Sequence, residues 1–187
     1  MSLAIVSCQE AQRATPRPHM FPKIDYPTRE VKMINLASCP FKAAIPQYAA
    51  IKKKEDAFKK EVAHPCWFDM EFLSLGATVH CSYYAIGPDR DLASLIDDAY
   101  TMASKHNVKA SFREEIEIKN LHGATGLIFS IEGAVASPYQ FYITDSKLHF
   151  LRGSLYFDDK VDRDSVAPII SFLKKDIDAF LSTVNFE

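Results

Sequence analysis

Apolar and polar residues alternate through Ser137–Phe157, SPYQFYITDSKLHFLRGSLYF, and the pattern predicts two strands joined by a tight turn. Tyr139, Phe141 and Ile143 alternate with Gln140, Tyr142 and Thr144. Asp145, Ser146 and Lys147 supply the reversal, because short Asp and Ser side chains bond to the turn's own backbone. The return strand spans Leu148–Phe157. It carries apolar residues at odd and even positions alike, which predicts cover on both faces.

The rest of the chain supplies elements to pack on this hairpin. Phe21–Tyr26 reads as a short strand closed by Pro27, and Val31–Leu36 as a second. Pro46-Gln47-Tyr48-Ala49 is turn-like. Ile51–Val62, IKKKEDAFKKEV, reads as a solvated loop or a short surface helix. A contact to anionic lipid head groups is disfavoured there by the interleaved Glu55, Asp56 and Glu61. Trp67–Leu75 and Thr78–Ile86 predict a hairpin turning at Gly76. Asp89 or Asp91 then caps a helix from Leu92 to His106, with Asn107 as a left-handed stop. Ser111–Lys119 predicts an exposed strand. Leu121-His122-Gly123 turns into Gly126–Ile131, a short buried one.

The last helix runs over Ser165–Val184, with Val166, Ile169, Ile170, Leu173, Ile177, Phe180, Leu181 and Val184 on its apolar side. Asp164 can cap it, and Pro168 fits its first turn. Strands and helices do not alternate regularly. That order predicts an α+β fold with a mostly antiparallel sheet, arranged as a three-layer α-β-α sandwich with two main helices.

Composition narrows the function classes. A net charge of −2 with intermixed signs leaves no electrostatic footprint for nucleic acid. No apolar run approaches the ~18 residues of a membrane-spanning helix. None of the glycines builds a phosphate-cradling loop. No cofactor is implied.

The N-terminus changes the picture. Met1-Ser2-Leu3 has the look of an added start. Ile5-Val6-Ser7-Cys8 then resembles the end of a bacterial lipoprotein signal, in which the thiol of Cys8 would carry the lipid. Gln9–His19, QEAQRATPRPH, is polar with two prolines and reads as a tether. The expected organisation is a remnant and tether over residues 1–19, followed by one domain over residues 20–187.

Several stretches form an ordered set: FPKIDYP at Phe21–Pro27, CPF at Cys39–Phe41, IPQYAAI at Ile45–Ile51 and PCWFDMEF at Pro65–Phe72. The central hairpin and DSVAPIISFLKKDI at Asp164–Ile177 complete it. Together they resemble the GldD family of gliding-motility lipoproteins. Cys8 falls where that family carries its lipidated cysteine. The resemblance implies an envelope-anchored, non-enzymatic component needed for gliding, beside a protein-secretion machine. It implies an outer-membrane position facing the periplasm, with envelope proteins of both machineries as partners. The architecture resembles the Mog1/PsbP-like fold. Cys39 and Cys66 match the family's cysteines and could be bridged in an oxidising compartment, while Cys81 reads as a buried thiol.

Chemistry is sparse. His64, Cys66, His80 and Cys81 could suggest zinc, but His80 and Cys81 are strand neighbours facing opposite ways, so no metal site is expected. Ser137, His149 and Asp145 could suggest a hydrolase, but no nucleophile elbow surrounds Ser137, so no catalytic residues are assigned. His149, Arg152 and Trp67 are the candidate contact surface, with Arg152 expected to find a carboxylate or an exposed tip. The alternative is a small-ligand-binding or hydrolytic envelope domain, with a pocket near His149 and Arg152.

Overall fold

The structure is a computed structural model and describes residues 23–36, 39–53, 65–158 and 166–187. Cys8, the tether, His64, Asp164 and residues 54–62 of the charged run lie outside the described residues.

The strands are β1 (Val31–Asn35), β2 (Phe41–Pro46), β3 (Ala50–Lys53), β4 (Phe68–Phe72) and β5 (Ala77–Ala85). After helix α1 (Leu92–Ser104) come β6 (Ala110–Lys119), β7 (Thr125–Gly133), β8 (Tyr139–Thr144) and β9 (His149–Phe157). Helix α2 (Ala167–Thr183) and the short β10 (Asn185–Phe186) close the chain. A seven-stranded sheet runs β3-β4-β5-β9-β8-β7-β6, and a three-stranded sheet runs β1-β2-β10. Every pairing is antiparallel.

The predicted central hairpin is β8–β9, in the middle of the large sheet. Its turn is held by the Asp145 carboxylate, whose Oδ1 accepts the backbone N–H of Lys147, Leu148 and His149 at 2.9–3.0 Å. Burial would raise the Asp145 pKa, but these donors outweigh it and hold the carboxyl below its ordinary range. Among the described non-glycine residues only Ser146 has positive φ, at 61°, which lets the chain reverse.

Alternate positions on the strands feed two separate buried clusters. Phe68, Met70, Val79, Phe141, Ile143, Leu151 and Leu155 join α2 residues Leu173, Ile177, Phe180 and Leu181, together with Phe41 and Ile45 of the small sheet. Leu127, Phe129, Ile131 and Phe150 join Leu95, Ala99 and Ala103 of α1. Gly153 sits where the Phe141 ring crosses β9: a Cβ there would lie 2.2 Å from Phe141 Cζ. The absent side chain lets Phe141 reach Phe180, at 6.2 Å between ring centroids.

Several expectations are corrected. Lys23–Tyr26 is not a strand. Pro27 breaks the run, and side chains hold the segment instead: Tyr26 stacks on Phe172 at 4.5 Å and Arg29 binds Asp176. The charged run begins as β3, because Ala50–Lys53 pairs with β4. Leu73–Leu75 is a turn of 3₁₀ helix ended by Gly76 at φ 58°. Asp91 caps α1 by accepting the Ser94 N–H at 2.7 Å, but α1 ends without a left-handed Asn107. The α2 N-cap is Val166, with no side-chain cap.

Candidate functional site

Trp67, just ahead of β4, and Arg152, on β9, meet at Tyr84 on β5. Register places Ser82 opposite Arg152 and Tyr84 opposite Phe150, so Tyr84 and Arg152 lie on the sheet face that carries the α1 cluster. Arg152 Nη2 donates to the Tyr84 hydroxyl at 2.9 Å, and its guanidinium lies 5.1 Å from the Tyr84 ring centre. Arg90, in the loop before α1, puts its guanidinium 4.7 Å from the same ring. Trp67 meets Tyr84 edge-on at 5.6 Å and donates its indole N–H to the Tyr83 carbonyl at 2.9 Å. Trp67, Tyr84 and Arg152 are half-buried and Arg90 is exposed.

Neither arginine belongs to an ion pair among the described residues. The expected carboxylate partner of Arg152 is therefore replaced by a tyrosine hydroxyl and ring. Two guanidiniums held on one ring keep their charge available to an incoming acceptor. Tyr84 and Arg90 were missed in the sequence. The alternation of β5 marks Tyr84 only as a strand residue, and nothing local marks Arg90.

His149 does not join this group. Three positions from Arg152 in a strand, it faces the other way. Its Nδ1 meets the Tyr83 hydroxyl at 2.7 Å, and its ring stacks on Phe186 at 5.3 Å. Burial, then the Asp145 charge, holds the Tyr83 phenol above its ordinary pKa. A pocket lined jointly by His149 and Arg152 is thus excluded by the pleat, and the polar pair expected of them is two unrelated contacts.

The triad also separates. His149 Nε2 lies 3.9 Å from Asp145 Oδ2 at the turn end of the hairpin. Ser137 is buried beyond the opposite end, two residues before Tyr139, which pairs with Leu155. At about 3.3 Å per residue the gap is roughly 20 Å. The zinc set is dismantled by the fold as well. Cys66 is bridged to Cys39 with Cα atoms 5.3 Å apart, and His80 Nδ1 meets Asp69 Oδ1 at 2.7 Å. Cys81 is buried on the opposite face, and the described residues hold no cluster of metal-ligand type.

One row does line up acid, base and hydroxyl. Asp69, His80 and Ser154 are register partners on β4, β5 and β9. Among the described hydrogen bonds none joins Ser154 to His80, whose ring leans on Tyr156 at 5.4 Å. The base is oriented, but no nucleophile is bonded to it.

The bridge supports a direct prediction. Alkylation of the folded, unreduced protein should leave Cys39 and Cys66 unmodified, and removing the bridge should cost about 2–4 kcal/mol of unfolding free energy. Mass analysis with and without reduction checks the first part and urea unfolding the second. Full alkylation of both residues before reduction would show the bridge absent.

These features define an α+β domain of two antiparallel sheets and two helices, with an arginine–aromatic patch on the larger sheet. A solved structure of the same general fold is the solution structure of cyanobacterial PsbP from Synechocystis, at 11% identity and a TM-score of 0.50, covering 86% of this chain and 95% of that one. The sequence matches the family described as gliding motility lipoprotein GldD over residues 11–186, and the chain belongs to that family. No curated protein matches it. No helix among the described residues is long and apolar enough to cross a membrane.

Proposed function

We propose that this chain is a non-enzymatic scaffold or assembly lipoprotein of the gliding-motility apparatus and its associated secretion machinery. Cys8 carries the lipid, and the domain over residues 20–187 works at the outer membrane on the periplasmic side. The helices flank the large sheet as a three-layer α-β-α sandwich, a reading supported by the two buried clusters drawn from alternate strand positions. Partner proteins of the envelope dock on the Trp67–Tyr84–Arg152 surface, with Arg90 at its rim.

The observation that carries this reading is the convergence of two guanidiniums and an indole on one tyrosine ring, with neither arginine in an ion pair among the described residues. Tryptophan, tyrosine and arginine dominate the energetic centres of protein interfaces, because each combines a large planar area with a polar tip. The test is a Trp67→Ala/Arg152→Ala double variant in the natively lipidated protein, expressed in its own cells. The expected result is loss of gliding and of co-isolated motility or secretion components, with protein abundance and membrane attachment retained. Normal gliding with unchanged co-isolation would overturn the reading.

A further inference from the structure

We propose that β6 is a strand-addition site: an extended, alternately apolar and basic segment of a partner protein pairs with its open edge and seats its apolar side chains in the groove beside α2. This surface is separate from the Tyr84 patch and rests on different observations.

The first observation is the edge itself. β6 is the last strand of the seven-stranded sheet, pairing only with β7 among the described residues. It spans ten residues. Among the described residues no strand pairs with the other side of its backbone, and such an edge is the usual template for an added strand.

The second is a groove of about 310 Å³ along that edge. Ile116, Ile118 and Ile128 line it from the sheet, and Leu181 from α2. Glu117 and Lys119 also line it, although they belong to the other face of β6, so the groove wraps around to the strand's backbone edge. Ile116 is 38% exposed and Phe112, on the same face, is 55% exposed. An added strand would cover both and place every second side chain against Ile116, Ile118 and Leu181.

The third is charge. Glu115 is engaged by Arg113 at 2.6 Å and by the Tyr100 hydroxyl at 3.2 Å. Glu114 and Glu117 have no ion-pair partner among the described residues. Glu114 lies on the groove face and Glu117 on the other; with the apolar side chains of the segment in the groove, its basic ones fall on the Glu117 side. The same carboxylates, with the register shift beside Ala110, discourage indiscriminate edge-to-edge pairing. That fits an edge kept for a basic partner.

The probe is an acetylated, amidated heptapeptide of sequence TVKVKVT, titrated into isotope-labelled full chain and followed by amide chemical shifts. The expected result is saturable movement of β6 amides and of the α2 amides around Leu181. N-methylation of every valine and lysine should weaken binding at least tenfold, because it removes the donors on whichever edge of the peptide meets β6. Ile116→Lys should also weaken binding at least tenfold. Met33→Lys, on the exposed β1 of the small sheet, should not. Ile116 is surface-exposed, so its variant is expected to fold, and an unchanged thermal midpoint checks that. Absence of any β6 shift would overturn the proposal, as would shifts confined to other strands or equal binding of the N-methylated peptide.

Discussion

Phe180→Ala is expected to lower the unfolding free energy by about 3–5 kcal/mol, the range for deleting a fully buried aromatic ring. Phe180 is fully buried on α2, packed against Phe141, in the cluster that joins the helix to both sheets. Neighbouring side chains cannot collapse into the gap easily. Phe141 is already extended across Gly153, and a rigid strand backbone lies beneath it. In a chain of this size each kcal/mol moves the thermal midpoint by roughly 2–4 °C. Urea unfolding should show a lower midpoint at unchanged slope. A loss below about 1 kcal/mol would mean that α2 is not seated on the sheet as described. Phe180→Leu should cost much less, because it keeps most of the volume.

Arg29→Met is expected to cost about 2–3 kcal/mol and to free the segment that leads into the domain. Asp176 is 4% exposed on α2, and Arg29 Nε donates to its Oδ1 at 2.9 Å. The Tyr48 hydroxyl donates to the other oxygen. Arg29 Nη2 also reaches the Phe172 carbonyl at 3.3 Å, and the guanidinium lies 4.2 Å from the Phe172 ring centre. Without Arg29 the buried carboxylate keeps the Tyr48 hydroxyl as its single side-chain donor among the described residues, and an uncompensated buried charge is costly. The expected loss sits below the 3–5 kcal/mol typical of deeply buried pairs because the Arg29 side chain is 44% exposed and screened by water. Limited proteolysis should cut the variant near Lys23–Glu30 faster than the parent, while the sheets stay protected. Equal cleavage rates with unchanged stability would show that the clamp contributes nothing. The clamp ties the first described segment, residues 23–30, to α2.

The long periodic elements were readable because their signals are local. The three-to-four-residue spacing from Val166 to Val184 defines α2 without reference to anything it touches. The alternation of Tyr139, Phe141 and Ile143, with Asp145 at the turn, likewise defines the β8–β9 hairpin. β2 was not readable. Phe41–Pro46, FKAAIP, is alanine-rich, flanked by proline and weak in strand propensity, and it is a strand because β1 and β10 pair with it from both sides. β3 hid in a charged run for the same reason, since its partner β4 supplies the ladder.

Of the candidate surface, the residue types Trp67 and Arg152 were readable as large and planar with polar tips, and His149 was grouped with them on proximity in sequence. Only strand register separates His149 from Arg152 and brings in Tyr84 and Arg90, because a two-residue period sends positions three apart to opposite faces. The sequence by itself determined the α+β class, the main elements and the resemblance to the GldD family. The tertiary structure alone decided the strand order, the open edge at β6, the bridge between Cys39 and Cys66, and the meeting of two arginines on Tyr84. Each of those depends on contacts between residues far apart in the chain, which a local pattern of polar and apolar positions does not encode.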